Sequence, residues 1–336
     1  MYSAAVADST GQDPGHVAGF TWADLLAALV EVHGTLSAVA WRLVELAPGD
    51  DIASIERALR RLRSRGQQDG GVWGQRLLRT FGVPATVESR VRWMGLYHSP
   101  FGDLPLALCL DQLRLWDRPP VSSSRARVWL HLGHASCALR RRDADAGESL
   151  ARAEAALAGL AGHDDARLEA QLIAAFLASQ RGEATAPRLE AAERLLAAAA
   201  LEPDDAACFS ARLTDQKAFQ LNRAGEHAAA LALYAALPTA DVHPFASYRR
   251  DAGLAFGHHR LGRRDEALRL ALQACEHAGD GGYTRLRAMG LLLVATIQGE
   301  PDGATTRARA RAIARRLDDA ELLARVEHHA RRAAGA

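Results

Sequence analysis

Three glycines, Gly225, Gly262 and Gly299, stand 37 residues apart, each in a short polar turn between Ala- and Leu-rich stretches of helical spacing. A turn that returns at a constant interval means that one helix-turn-helix unit is built again and again. No such unit buries its apolar face alone, so the copies must stack. The words at the turns are Ala224-Gly225-Glu226-His227, Leu261-Gly262-Arg263-Arg264 and Gln298-Gly299-Glu300. Gly102 and Gly182 mark the same layout earlier, and at Arg142-Asp143 the turn is present without its glycine, which places Arg140 and Arg141 in a turn as well. Six helical hairpins result. From residue 21 onward strand-like alternation is confined to a few short pieces, so the fold class is all-α.

A chain of 336 residues exceeds one small domain. With 49% hydrophobic and 24% charged residues it has the balance of a globular protein, which excludes a fibrous or wholly disordered one. Basic and acidic residues, 41 and 40, nearly cancel, so any attraction to a polyanion must be local. Lys217 is the single lysine, which leaves no Gly-Lys-Ser/Thr phosphate loop and no plausible Schiff-base lysine. HExxH, GxSxG and GxGxxG motifs are missing too, so the expectation is a protein that is not an enzyme and needs no cofactor. His131 and His134, three apart on one helix, could share a metal in principle, but no neighbouring Cys or carboxylate completes a ligand set, and packing or groove-lining histidines are expected. Cys109, Cys137, Cys208 and Cys275 form no CxxC pair and read as reduced packing thiols. Residues 1–19 read as a disordered leader without the basic start of a signal peptide. No apolar run reaches membrane-spanning length, so the expected compartment is the cytoplasm, with no membrane contact.

Trp129-Leu130-His131-Leu132-Gly133 has the Trp-x-x-Leu-Gly spacing that opens a tetratricopeptide repeat (TPR). Met94-Gly95 followed by Gly102, Ala107 and Pro119-Pro120 fits most of an earlier copy, and Gly225 to Tyr234 and Gly262 to Ala271 fit second halves. Small residues, Gly95, Gly133, Ala175, Ala218 and Ala255, fall where paired helices would cross closely. Residues 84–317 therefore resemble an α-solenoid of about six TPR-like hairpins, with intervals that drift and most Trp and Pro positions unfilled, and 318–336 read as a polar-faced capping helix.

The resemblance implies a concave groove, lined by the first helix of each hairpin, that holds a protein or peptide partner. Carried over position by position, its lining would be Arg127 and His134, then Arg212, Phe219, Asn222 and Arg223, then Arg249, Phe256, His259 and Arg260. Arginines at equivalent places would suit carboxylates by bidentate hydrogen bonding. The same side chains could instead be solvated, or paired internally with Asp215 and Asp251.

Residues 20–83 differ in character and end at a joint near Pro84. Three helices are expected, over 21–33 with Trp22, Leu25, Leu26 and Leu29 inward, over 36–46 with Leu36, Val39, Ala40 and Leu43 inward, and from Ile52 after a cap by Asp50 or Asp51. Ile52 to Arg79 carries seven arginines against two acids. A short three-helix unit with an arginine-rich third helix resembles a winged helix-turn-helix whose last helix enters the DNA major groove. On that resemblance Arg57, Arg60, Arg61, Ser64 and Arg65 are the candidate DNA-binding residues, and 67–74 falls where a wing would lie without the alternating pattern a wing needs. Protein contact through this face and a merely solvated surface both stay open. The expected function is a regulator of transcription that joins double-stranded DNA to a partner protein. The alternative is a scaffold or adaptor that binds protein only.

Overall fold

The computed structural model describes residues 19–46, 51–64, 68–238 and 243–334. Every regular element among them is helical: seventeen α-helices and two short 3₁₀ turns, with no strand. The expected leader 1–19 lies almost wholly outside the described residues, as do Asp50 and Arg65. No single described helix is long and apolar enough to cross a membrane.

Contacts divide the chain into two units, one ending at Thr80 and including Arg118–Pro120, the other comprising Phe81–Asp117 and everything from Val121. The first unit holds α1 (Trp22–His33), α2 (Leu36–Leu46), α3 (Ile52–Arg63) and α4 (Gly71–Thr80). Thr21 caps α1 in a reciprocal box with Asp24, and Asp51 caps α3 by accepting the Ser54 N–H at 3.0 Å. Trp22 is wholly buried and donates its indole N–H to the Gln68 carbonyl at 2.7 Å. Gly74 is required beneath that ring, since a Cβ there would stand 2.7 Å from it. Beyond α3 the described residues resume at Gln68 and form α4 from Gly71, so residues 71–74 of the expected wing segment are helical rather than part of a strand pair.

The second unit is a two-layer arrangement of helix pairs. Its first layer comprises α5 (Ala85–Gly95), α7 (Arg127–Arg141), α9 (Asp164–Arg181), α11 (Pro203–Arg223), α13 (Pro244–Arg260), α15 (Thr284–Gln298) and α17 (Ala320–Ala334), and each touches the next in this layer. The second layer comprises α6 (Leu106–Trp116), α8 (Ala146–Leu157), α10 (Ala186–Ala198), α12 (His227–Ala235), α14 (Arg264–Asp280) and α16 (Gly303–Arg316), and each packs on its first-layer partner. The turn without a glycine is closed by Arg142 itself in the left-handed conformation, φ 60°. Gly262 holds the corresponding place at φ 77° at no steric cost.

Gly95 lies so close to α7 that a Cβ would stand 2.4 Å from the Trp129 carbonyl oxygen. Ala218 and Ala255 are wholly buried in the cluster shared by α11 to α15. Ala255→Leu should overpack that cluster and cost roughly 1–3 kcal/mol, read as a lowered urea midpoint at unchanged slope. An unchanged midpoint would mean that the crossing has room to spare.

The two ends of the second unit meet. Helix α17 packs on α7, and the Leu106 N–H donates to the Leu317 carbonyl at 3.0 Å.

Candidate functional site

In the first unit, α3 buries Ile55, Ala58, Leu59 and Leu62 and turns Arg57, Arg60, Arg61, Arg63 and Ser64 outward. An i, i+4 bond ties Arg60 to Glu56 at 2.8 Å. Among the described residues Arg57 bonds the Ser54 hydroxyl, at 2.9 Å, and Arg61 the Arg57 carbonyl, at 3.4 Å. No described carboxylate forms a salt bridge with Arg57, Arg61 or Arg63. The exposed face of α3 therefore keeps most of its positive charge and its guanidinium donors.

In the second unit the expected groove residues fall into two groups. Phe219 is 51% and Phe256 37% exposed, and they occupy equivalent places on α11 and α13, which touch. One turn further along stand Arg223, its guanidinium 5.9 Å from the Phe219 ring, and Arg260. Neither arginine has a carboxylate partner among the described residues. Arg260 donates to His227 Nε2 at 3.2 Å, and His227 Nδ1 lies 2.9 Å from the Asn222 carbonyl oxygen. That arrangement links α11, α12 and α13. His259, half-buried beside Arg260, has its pKa lowered by burial and then by the Arg260 and Arg264 charges. Arg127 is exposed on α7, and His134, 3.7 Å from Asp117, has its pKa lowered mainly by burial.

Arg212 and Arg249 do not line an open groove. They lie two helical turns before Phe219 and Phe256 on the same faces, but both are buried. The chain's own segment 96–104, between α5 and α6, covers that end of the face. Arg212 makes a bidentate pair with the wholly buried Glu169, at 2.5 and 2.8 Å, and Arg249 binds Asp215 at 2.8 Å. Glu169 also accepts the Tyr97 N–H at 3.3 Å. His98 meets Asp205 at 3.1 Å and stacks edge-on against Phe209, and its carbonyl accepts the Tyr283 hydroxyl at 2.9 Å.

Arg140 corrects a second expectation. It is not in a turn but buried in the last turn of α7, donating to Asp319 at 3.2 Å and to the carbonyls of Leu104 and Leu317. Arg285 shares the same carboxylate at 2.7 Å. Sequence reasoning missed Tyr97, Glu169, Arg285 and Asp319. The available signal was the arginine series itself, since Arg212, Arg249 and Arg285 recur at nearly one repeat interval with a one-residue slip at the last.

A cavity of about 40 Å³ beside Tyr97, lined in part by Ser136, Cys137, Arg140 and Arg285, has room for a water or two and not for an organic substrate. Among the described residues no group of three or more His, Cys, Asp or Glu side chains gathers as a metal site. All four cysteines are free thiols, and Cys109, Cys137 and Cys208 are buried. No protein-family model, no curated protein and no solved structure matches this chain.

Proposed function

We propose that the protein is a non-enzymatic regulator of the transcription-factor type. Its first unit acts as a helix-turn-helix-like domain that lays α3 on double-stranded DNA. The second acts as a TPR-like solenoid that takes an acidic protein or peptide segment along the row of Phe219, Arg223, Phe256 and Arg260. The observation that carries this reading is the α3 face, with Arg57 and Arg61 outward and without a salt bridge among the described residues while the opposite face is locked into the unit's core. Guanidinium forks in that state suit phosphate oxygens and guanine edges alike. If partner and DNA binding are coupled, each must change the affinity of the other by the same factor.

Gel shifts on fragmented genomic DNA test the reading. Neutralising three phosphates gives a salt slope of about −2.7, so affinity should fall about 40-fold between 50 and 200 mM salt. The Arg57→Glu/Arg60→Glu/Arg61→Glu variant should not bind while remaining folded. Absence of binding by the wild type at low salt would overturn the DNA reading. The adaptor reading would then replace it, and one observation already favours that alternative: residues 71–74, within the segment expected to form a wing, begin a helix instead.

A further inference from the structure

Tyr97 is placed where a neutral phenol is poorly served. Its hydroxyl oxygen accepts from Arg249 Nη2 at 3.0 Å and from Arg285 Nη1 at 3.1 Å, and the Arg212 guanidinium lies 4.7 Å from the ring centroid. Two charged donors take both lone pairs, and no described acceptor receives the hydroxyl proton.

The surrounding charges are unbalanced in the same sense. Four guanidiniums, those of the buried Arg140, Arg212 and Arg249 and of the mostly buried Arg285, meet three carboxylates: Glu169 from α9, Asp215 from α11, and Asp319, which Arg140 and Arg285 share. The remaining nearby carboxyl, Asp103 on Tyr97's own segment, is pushed up to about 6 by burial, so it begins to protonate just below neutral pH. Other titratable neighbours are Tyr248 on α13, His98, which is held by Asp205, Cys137 on α7 and Tyr283, which line the same cavity as Tyr97, and the more distant Arg325 on α17.

We propose that Tyr97 is the fourth anion of this cluster, a buried tyrosinate that forms as the solution turns mildly alkaline and pins segment 96–104 to α13 and α15. The second unit would thereby tighten with rising pH, independently of what either surface binds. Burial, the largest influence on Tyr97, pushes its pKa up. The charges of Arg249, Arg285 and Arg212 together outweigh it and bring the phenol down to about 8.

An unfolded tyrosine titrates near 10, so the folded value is the depressed one. The stabilisation is complete above the unfolded value and is lost as pH falls through 8. Between pH 7 and 9 the unfolding constant of the wild type should fall about tenfold relative to Tyr97→Phe.

The chain has five tyrosines, and Tyr234, Tyr248 and Tyr283 are all shifted upward, chiefly by burial. The test is an absorbance titration of the whole protein in the tyrosinate band, with urea unfolding at pH 7 and pH 9. One tyrosine's worth of absorbance should rise with a midpoint near pH 8 and be missing in Tyr97→Phe. Ionisation confined to pH 10 and above overturns the proposal, as does the same early rise in Tyr97→Phe or an equal pH response of stability in both proteins. If Tyr97→Phe does not fold, the wild-type titration decides by itself.

Discussion

Replacing Asp319 with Ala should cost the second unit about 3–5 kcal/mol, because a single wholly buried carboxylate holds two guanidiniums, that of the buried Arg140 and that of the mostly buried Arg285. Its other oxygen accepts the Leu322 N–H at 2.8 Å and so starts α17. The loss combines two uncompensated charges, one buried and one mostly so, with a missing helix cap. Urea unfolding of wild type and variant measures it. A loss below about 1 kcal/mol, the range of surface pairs, would mean that water reaches the arginines. The same carboxylate sets a pH limit. Burial pushes its pKa up, but Arg285, the Leu322 N–H and Arg140 bring it below the ordinary value. A depressed value stabilises above the unfolded pKa of about 3.9, so this contribution should persist at neutral pH and fade only in acid below about pH 4.

A second large effect is expected at Glu169. Glu169→Ala leaves Arg212 buried without its bidentate partner and the Tyr97 N–H without an acceptor, at a cost of about 3–5 kcal/mol. The double variant Glu169→Leu/Arg212→Met removes both charges and keeps much of the volume. It should recover most of that loss, since apolar replacement of a buried ion pair is often close to neutral. Unfolding free energies of the wild type, Glu169→Leu, Arg212→Met and the double variant close a cycle and give the coupling directly. A double variant as unstable as the single one would show that the Tyr97 N–H, not the Arg212 charge, dominates the cost.

Local chemistry made the helices legible. Thr21 with Asp24, Asp51 with Ser54, and the spacing of Leu25, Leu29, Ile55, Leu59 and Leu62 announce starts and inward faces, because caps and a 3.6-residue period act within a few residues. Recurrent turns at Gly225 and Gly262 announced the pairing. The sequence could not tell which arginines on a repeated face are open and which are covered. Arg249 and Arg260 share one helix and one arginine-rich pattern, and only the path of residues 96–104, more than a hundred residues earlier, separates a buried ion pair from an exposed side chain. Arg140 misled for a related reason. A charged residue one turn from a helix end looks solvated until a carboxylate 179 residues away closes over it.

That closure constrains how such a chain can change. A tandem stack whose copies touch only their neighbours can gain or lose a copy at little cost, because each junction resembles every other. Here Arg140 reaches Asp319 across 179 residues, and Arg285 reaches Tyr97 across 188. Inserting or deleting a helix pair anywhere between them would carry α17 away from α7 and strand charged side chains at both ends. Copy number is therefore fixed by the ends rather than by the repeats. A nascent chain also cannot complete the core of its earliest hairpins until its last helix has been made.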